Sequence, residues 1–219
     1  MFRNLFSVFR KDNLINQALN DMDSMYHLSQ TLYNEAISAL AEKRDSKFDI
    51  YELDREINNL EKTIRKKILE NLSINPQQEI VTSLVLTSII IDIERIGDYS
   101  KNIIELKKLC PISTHVQISN QLMRDSGQIS EIFEELGTTL HSPDKNSAKL
   151  IIQKLQTLKK GFDGYICQTA NTENCPVNEA IVNVLLARYL KRVCAHLENV
   201  ASSLANSFDM IGFYQNDND

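Results

Sequence analysis

The chain has 219 residues, of which 42% are hydrophobic and 24% charged, ordinary globular values that exclude disorder as the main state. Six glycines, four prolines and no tryptophan leave too few chain breakers for the turns of a many-stranded sheet, so an all-β fold is excluded. A net charge of −5 argues against a broad nucleic-acid surface, because phosphate contacts need clustered Lys and Arg.

The first segment, Met1 to Lys11, mixes Phe2, Leu5, Phe6 and Phe9 with Arg3, Arg10 and Lys11. It lacks the continuous apolar stretch and small-residue cleavage site of a secretory signal. We expect it to fold over the end of the molecule or fray; the alternative is an amphipathic contact with a membrane surface or a partner.

Six helices are then predicted in chain order, over about residues 12–42, 48–72, 76–108, 114–140, 144–169 and 177–208, because apolar residues recur every three or four positions. In the first, Ile15, Leu19, Met22, Tyr26, Tyr33, Ile37 and Leu40 form one stripe; in the second, Ile50, Leu53, Ile57, Leu60, Ile64 and Ile68 do so. Asn75-Pro76 and Ser142-Pro143 each place a capping side chain before a proline at the first helical position, where the missing N–H costs nothing.

The third and sixth helices are apolar around most of their circumference, through Ile80 to Ile96 and Ala180 to Val193, which predicts that both are central and buried. Two amphipathic helices followed by a buried one, twice over, predict an all-α fold of two tandem three-helix bundles, residues 1–110 and 111–219, joined near Pro111. The longest apolar stretch, Ile80 to Ile93, is interrupted by polar residues and too short to span a bilayer. The four cysteines form no CxxC motif and read as reduced thiols, so a cytoplasmic location is expected.

On the third helix, Glu94 and Asp98 lie four residues apart and share a face that Asn102 continues. Like charges at that spacing destabilise an isolated helix by a few tenths of a kcal/mol, and by more when partly buried unless a cation compensates them. Gly97 between them costs about 1 kcal/mol relative to alanine, which suggests that something approaches the backbone there. On the second helix Asp54, Asn58 and Glu61 share a face. Two acidic stripes on consecutive antiparallel helices could supply oxygen ligands to a hard or borderline cation. The lack of histidine in both stripes disfavours a zinc-only tetrahedral site. The bland alternative is two solvated acidic faces.

The run Glu94-Arg95-Ile96-Gly97-Asp98-Tyr99-Ser100-Lys101-Asn102-Ile103, preceded by apolar residues and Asp92, resembles the E-R-I-G-D signature of the PhoU proteins. Asp54-Arg-Glu-Ile-Asn58-Asn-Leu-Glu61 resembles that family's second-helix pattern. The resemblance implies tandem three-helix bundles and a non-catalytic cytoplasmic regulator of phosphate uptake and phosphate signalling. Its partners would be a phosphate transporter component, a sensor histidine kinase or both. Peripheral membrane contact would come through those partners, and the assembly would be a homodimer.

By the same resemblance Asp54, Glu61, Glu94 and Asp98 become metal-ligand candidates, with Arg95 and Asn102 beside them. Iron is the first candidate ion, with manganese, magnesium, calcium and zinc as the others. The alternative is a metal-free helical adaptor that keeps the fold alone.

Two departures bear on that expectation. Arg65 stands one turn after Glu61, where some members of the family carry another acid, and a fixed cation there would reduce or exclude metal. In the second half, Lys191 and Ala195 stand in the places of Glu94 and Asp98, while Lys159 and Ile166 stand opposite Asp54 and Glu61. The first bundle is therefore expected to bind metal and the second not.

Arg95 and Arg192 are expected to pair with neighbouring carboxylates, the alternative being bidentate phosphate binding. None of the four histidines, His27, His115, His141 and His196, has a glutamate three residues before it, so di-iron Glu-x-x-His pairs are missing. A phosphorelay role for His27 or His196 is the weaker reading of a lone helical histidine. No nucleophile, base and orienting group form a set, which argues against a metal-dependent phosphate-handling enzyme.

Overall fold

The structure is a computed structural model that describes residues 14–74, 80–109, 116–173 and 175–212. The Met1 to Lys11 segment, the Asn75-Pro76 cap, Pro111 and the polar tail lie outside these residues. Six helices follow in chain order: α1 (Leu14–Ala41), α2 (Ile50–Ile74), α3 (Ile80–Leu109), α4 (Asn120–His141), α5 (Lys145–Ala170) and α6 (Val177–Ala205). A short 3-10 turn, Phe208–Met210, comes after α6. The all-α architecture expected from the apolar spacing is present.

Each helix buries the stripe that predicted it. On α2, Ile57, Ile64 and Ile68 are buried while Leu69 and the charged face look outward. Each buried isoleucine contributes roughly 1.5–3 kcal/mol of apolar transfer. α2 packs on α1 and α3, α5 packs on α6, and α3 packs on α6. Core side chains from all six helices form one continuous cluster.

Paired side chains give the directions. Asp54 meets Lys101 and Tyr51 meets Glu105, so α2 and α3 are antiparallel. Two buried tyrosines pin α1 to antiparallel α4: the Tyr26 hydroxyl donates to the Phe133 carbonyl at 2.8 Å and the Tyr33 hydroxyl to the Ser126 carbonyl at 2.9 Å. Removing either hydroxyl would cost the cross-helix bond, about 1 kcal/mol, while the carbonyl keeps its own helical partner.

Two expectations are corrected. Ser142 does not cap the fifth helix; Asp144 does, its carboxylate accepting the Ser147 N–H at 2.7 Å and the Ser147 hydroxyl at 2.6 Å. A carboxylate at this position also favours the positive end of the helix dipole. Nor are α3 and α6 buried all round. Ile80, Val81, Leu84 and Ile91 on α3, and Val177 and Ile181 on α6, are exposed. The apolar surplus of these central helices exceeds what their neighbours can cover.

No helix among the described residues is long and apolar enough to cross a membrane. Among them Cys167, Cys175 and Cys194 are free thiols.

Candidate functional site

The two acidic stripes meet. Asp98, Glu61 and Asp54 all act electrostatically on Glu94, so the four carboxylates form one partly buried patch across the α2–α3 interface. Gly97 supports this approach. A Cβ there would lie 3.1 Å from the Ile57 side-chain tip, so the close neighbour expected from a helical glycine is α2 itself. Ser29 of α1 closes the third side, donating to the Ile93 carbonyl at 3.2 Å.

The patch carries its own cations. Lys101 Nζ lies 2.7 Å from Asp54 Oδ1 and 3.2 Å from Asp98 Oδ1, bridging the two helices. Arg65, the fixed cation one turn after Glu61, pairs with Glu61 at 2.6 Å. Arg95 reaches Asp98 at 3.1 Å and Glu94 at 3.4 Å, as expected of an arginine paired with its neighbours. Asn102 is half-buried one turn beyond Asp98.

Glu94 is the least satisfied member. Burial, then the negative charge of Asp98, pushes its carboxyl up to about 7, against the pull of the solvent-facing Arg95. Near neutral pH it is therefore ionised only in part of the population.

An all-oxygen donor set suits a hard or borderline cation, but this arrangement does not fit one. The Lys101 ammonium sits between two of the four donors, where an ion shared by the helices would have to lie. Among the described residues, the ligand atoms that do come within 4.8 Å of one another belong to Asp23, His27 and His141.

The second bundle makes the Lys101 arrangement easier to read. Lys159, in the place of Asp54, is ion-paired with Glu198, in the place of Lys101. The same α2–α3 and α5–α6 crossing is thus closed by a salt bridge in both halves, with the charges exchanged. Lys191 and Asp163, in the places of Glu94 and Asn58, form a second bridge at 2.6 Å. A cross-helix ion pair at this level is a way of holding the last two helices of each bundle.

The α3–α6 seam is polar as well. Asp92 Oδ1 accepts from Asn199 at 2.9 Å and meets His196 Nδ1 at 2.7 Å. The His196 ring stacks on Tyr99. Among the described residues Arg192 meets an aromatic side chain where a carboxylate was expected: it donates to the Tyr99 hydroxyl at 3.1 Å and lies over the Tyr99 ring.

Residues 22–106 match the family model described as PhoU domain. A search of curated proteins finds no match. Among solved structures, the chain is similar to the phosphate transport system regulatory protein PhoU from Streptococcus pneumoniae, with TM-score 0.76 and 16% identity over 86% of this chain and 92% of that one. It is equally similar to PhoU from Pseudomonas aeruginosa, with TM-score 0.76 and 17% identity over 87% of this chain and 95% of that one. At such identities the likeness establishes the fold.

Proposed function

Starting from a chain whose residues 22–106 are a PhoU domain and whose six helices carry the PhoU fold, we propose that the protein is a cytoplasmic, non-catalytic regulator of phosphate uptake and phosphate signalling. It acts by contact with a phosphate transporter component, a sensor histidine kinase or both. The observation that carries this reading is the PhoU domain. In this reading residues 1–110 and 111–219 are two PhoU-like repeats, the second without counterparts of the four carboxylates. The exposed apolar residues Ile80, Val81, Leu84 and Ile91 along α3 support a contact role, since apolar clusters left at a surface mark association sites. Self-association into a homodimer is one use for that surface.

The experiment is co-purification of the tagged full chain with membrane components of a phosphate carrier from cells grown in high and low phosphate. The reading expects recovery that changes with phosphate; equal recovery, or none, under both conditions argues against it.

In this reading Asp54, Glu61 and Asp98 are held by Lys101, Arg65 and Arg95, and the patch is a metal-free fastening. A second reading keeps the four carboxylates as metal ligands, with iron as the first candidate ion and Lys101 displaced. It is favoured by Glu94, whose carboxyl is pushed up first by burial and then by the Asp98 charge, a combination that a bound cation would relieve. Elemental analysis of the purified protein separates the two readings. Metal that disappears in the Glu94→Ala, Asp98→Ala variant supports the second, and metal content unchanged by that variant supports the first.

A further inference from the structure

We propose that Asp23, His27 and His141 form a site for a first-row divalent cation of the zinc class, clipping α1 to α4. The ligands are on different helices from the carboxylate patch, and the proposal does not rest on the regulatory reading.

Asp23 and His27 are one turn apart on α1 and so share a face. His141 is the last residue of α4, which runs antiparallel to α1 and brings the imidazole back to that turn. One ligand atom from each residue lies within 4.8 Å of the others, and His141 Nε2 is already 3.0 Å from Asp23 Oδ1. Zinc holds imidazole nitrogen and carboxylate oxygen at about 2.0–2.2 Å. Donors on one tetrahedral ion of that size lie about 3.3 Å apart, so side-chain rotation that draws the atoms together by up to about 1.5 Å brings the three onto one ion.

The backbones that carry the ligands are fixed in advance. The Tyr26 hydroxyl bond to Phe133 secures α4 beside His27. Gly137, one turn before His141, lets the Tyr26 ring close in, since a Cβ there would sit 3.3 Å from it. Ser130 donates to Asn34 at 2.8 Å further along the same seam. Preorganisation of this kind lowers the cost of assembling a binding site.

The location also suits a cation, because the C-terminal end of α4 carries the negative pole of the helix dipole. Two imidazoles and one carboxylate match the borderline softness of zinc, cobalt or nickel better than calcium or magnesium, which prefer all-oxygen shells. Three protein ligands leave a fourth position open, and the half-exposed Asp23 and exposed His141 side chains place it toward solvent. On binding, the ion replaces the contact between His141 Nε2 and Asp23; any proton on a ligating nitrogen passes to solvent or to the other ring nitrogen, and no electron transfer is involved.

The test is titration of the chelator-stripped full chain, its accessible thiols alkylated, with Zn2+ by calorimetry and with Co2+ by visible absorption. We expect one saturable equivalent, a four-coordinate nitrogen–oxygen cobalt spectrum and a higher melting temperature with zinc. The His27→Ala, His141→Ala variant should lose that equivalent and the melting shift. Asp23→Asn should weaken binding about tenfold or more, and Glu94→Ala, Asp98→Ala should retain binding. The ligand side chains are at the surface, so circular dichroism should find these variants folded. No saturable binding at micromolar zinc, or equal binding by the double-histidine variant, would overturn the proposal.

Discussion

Lys159→Met should be the most damaging single change to the second bundle, lowering unfolding free energy by about 3–5 kcal/mol. Its partner Glu198 is only 1% exposed, and one of its carboxylate oxygens has no hydrogen-bond partner. Cutting away the ammonium would leave a buried carboxylate without a counter-charge. The Cys194 thiol beside it is pushed well above the ordinary thiol range, first by burial and then by the Glu198 charge, so the surroundings offer little relief. The double change Lys159→Met, Glu198→Leu should recover most of the loss, because an apolar pair can replace a buried ion pair at little cost. Urea midpoints of the two variants and the parent protein check this; equal stability of the single and double variants would contradict it.

The second large effect is a pH-dependent gain. Glu94 titrates near 7 in the folded chain against an ordinary 4.5, so between those values the folded state holds more protons than the unfolded one. Stability from this group is therefore complete below about pH 4.5 and is lost as pH rises through 7. Glu94→Gln removes the ionisation. The variant should match the parent near pH 4.5 and exceed it by roughly 1–2 kcal/mol at pH 8, after allowance for solvent screening of a partly exposed group. Denaturation midpoints at several pH values read it directly. A variant no more stable than the parent at pH 8 would mean that Arg95 and its neighbours satisfy the glutamate fully.

Helix positions were legible in the sequence because burying a 3.6-residue stripe is what makes each helix stable: Ile57, Ile64 and Ile68 are apolar for that reason, and they are buried. The meeting of the two acidic stripes was legible too, since spacings of four and seven residues set the face and consecutive antiparallel helices set the neighbour. What fills the space between them was not. Lys101 lies in the quoted motif, yet its reach to Asp54 depends on side-chain direction across a crossing, which a linear pattern does not encode. For the same reason the second half reads as a loss of carboxylates, whereas Lys159 and Glu198 keep the crossing with its charges exchanged. Asp23 and His27 are one turn apart in the sequence, but their third companion comes from another helix far along the chain. The exposed apolar residues of α3 mark the opposite failure. Patterning alone assigned them to a core, and the packed neighbours do not extend over them.

The internal ion pairs give the PhoU domain an economy of its own. Lys101 ties α2 to α3 while the outer apolar residues of α3 stay exposed, so fastening and the proposed docking would use different faces of one helix.

Phosphate uptake in cells lacking this chain tests the regulatory role most directly. Radiolabelled phosphate entry, measured in phosphate-replete medium, should rise when the gene is deleted and return to its former rate when the intact chain is restored. Uptake that is the same with and without the chain, at both high and low phosphate, would contradict it.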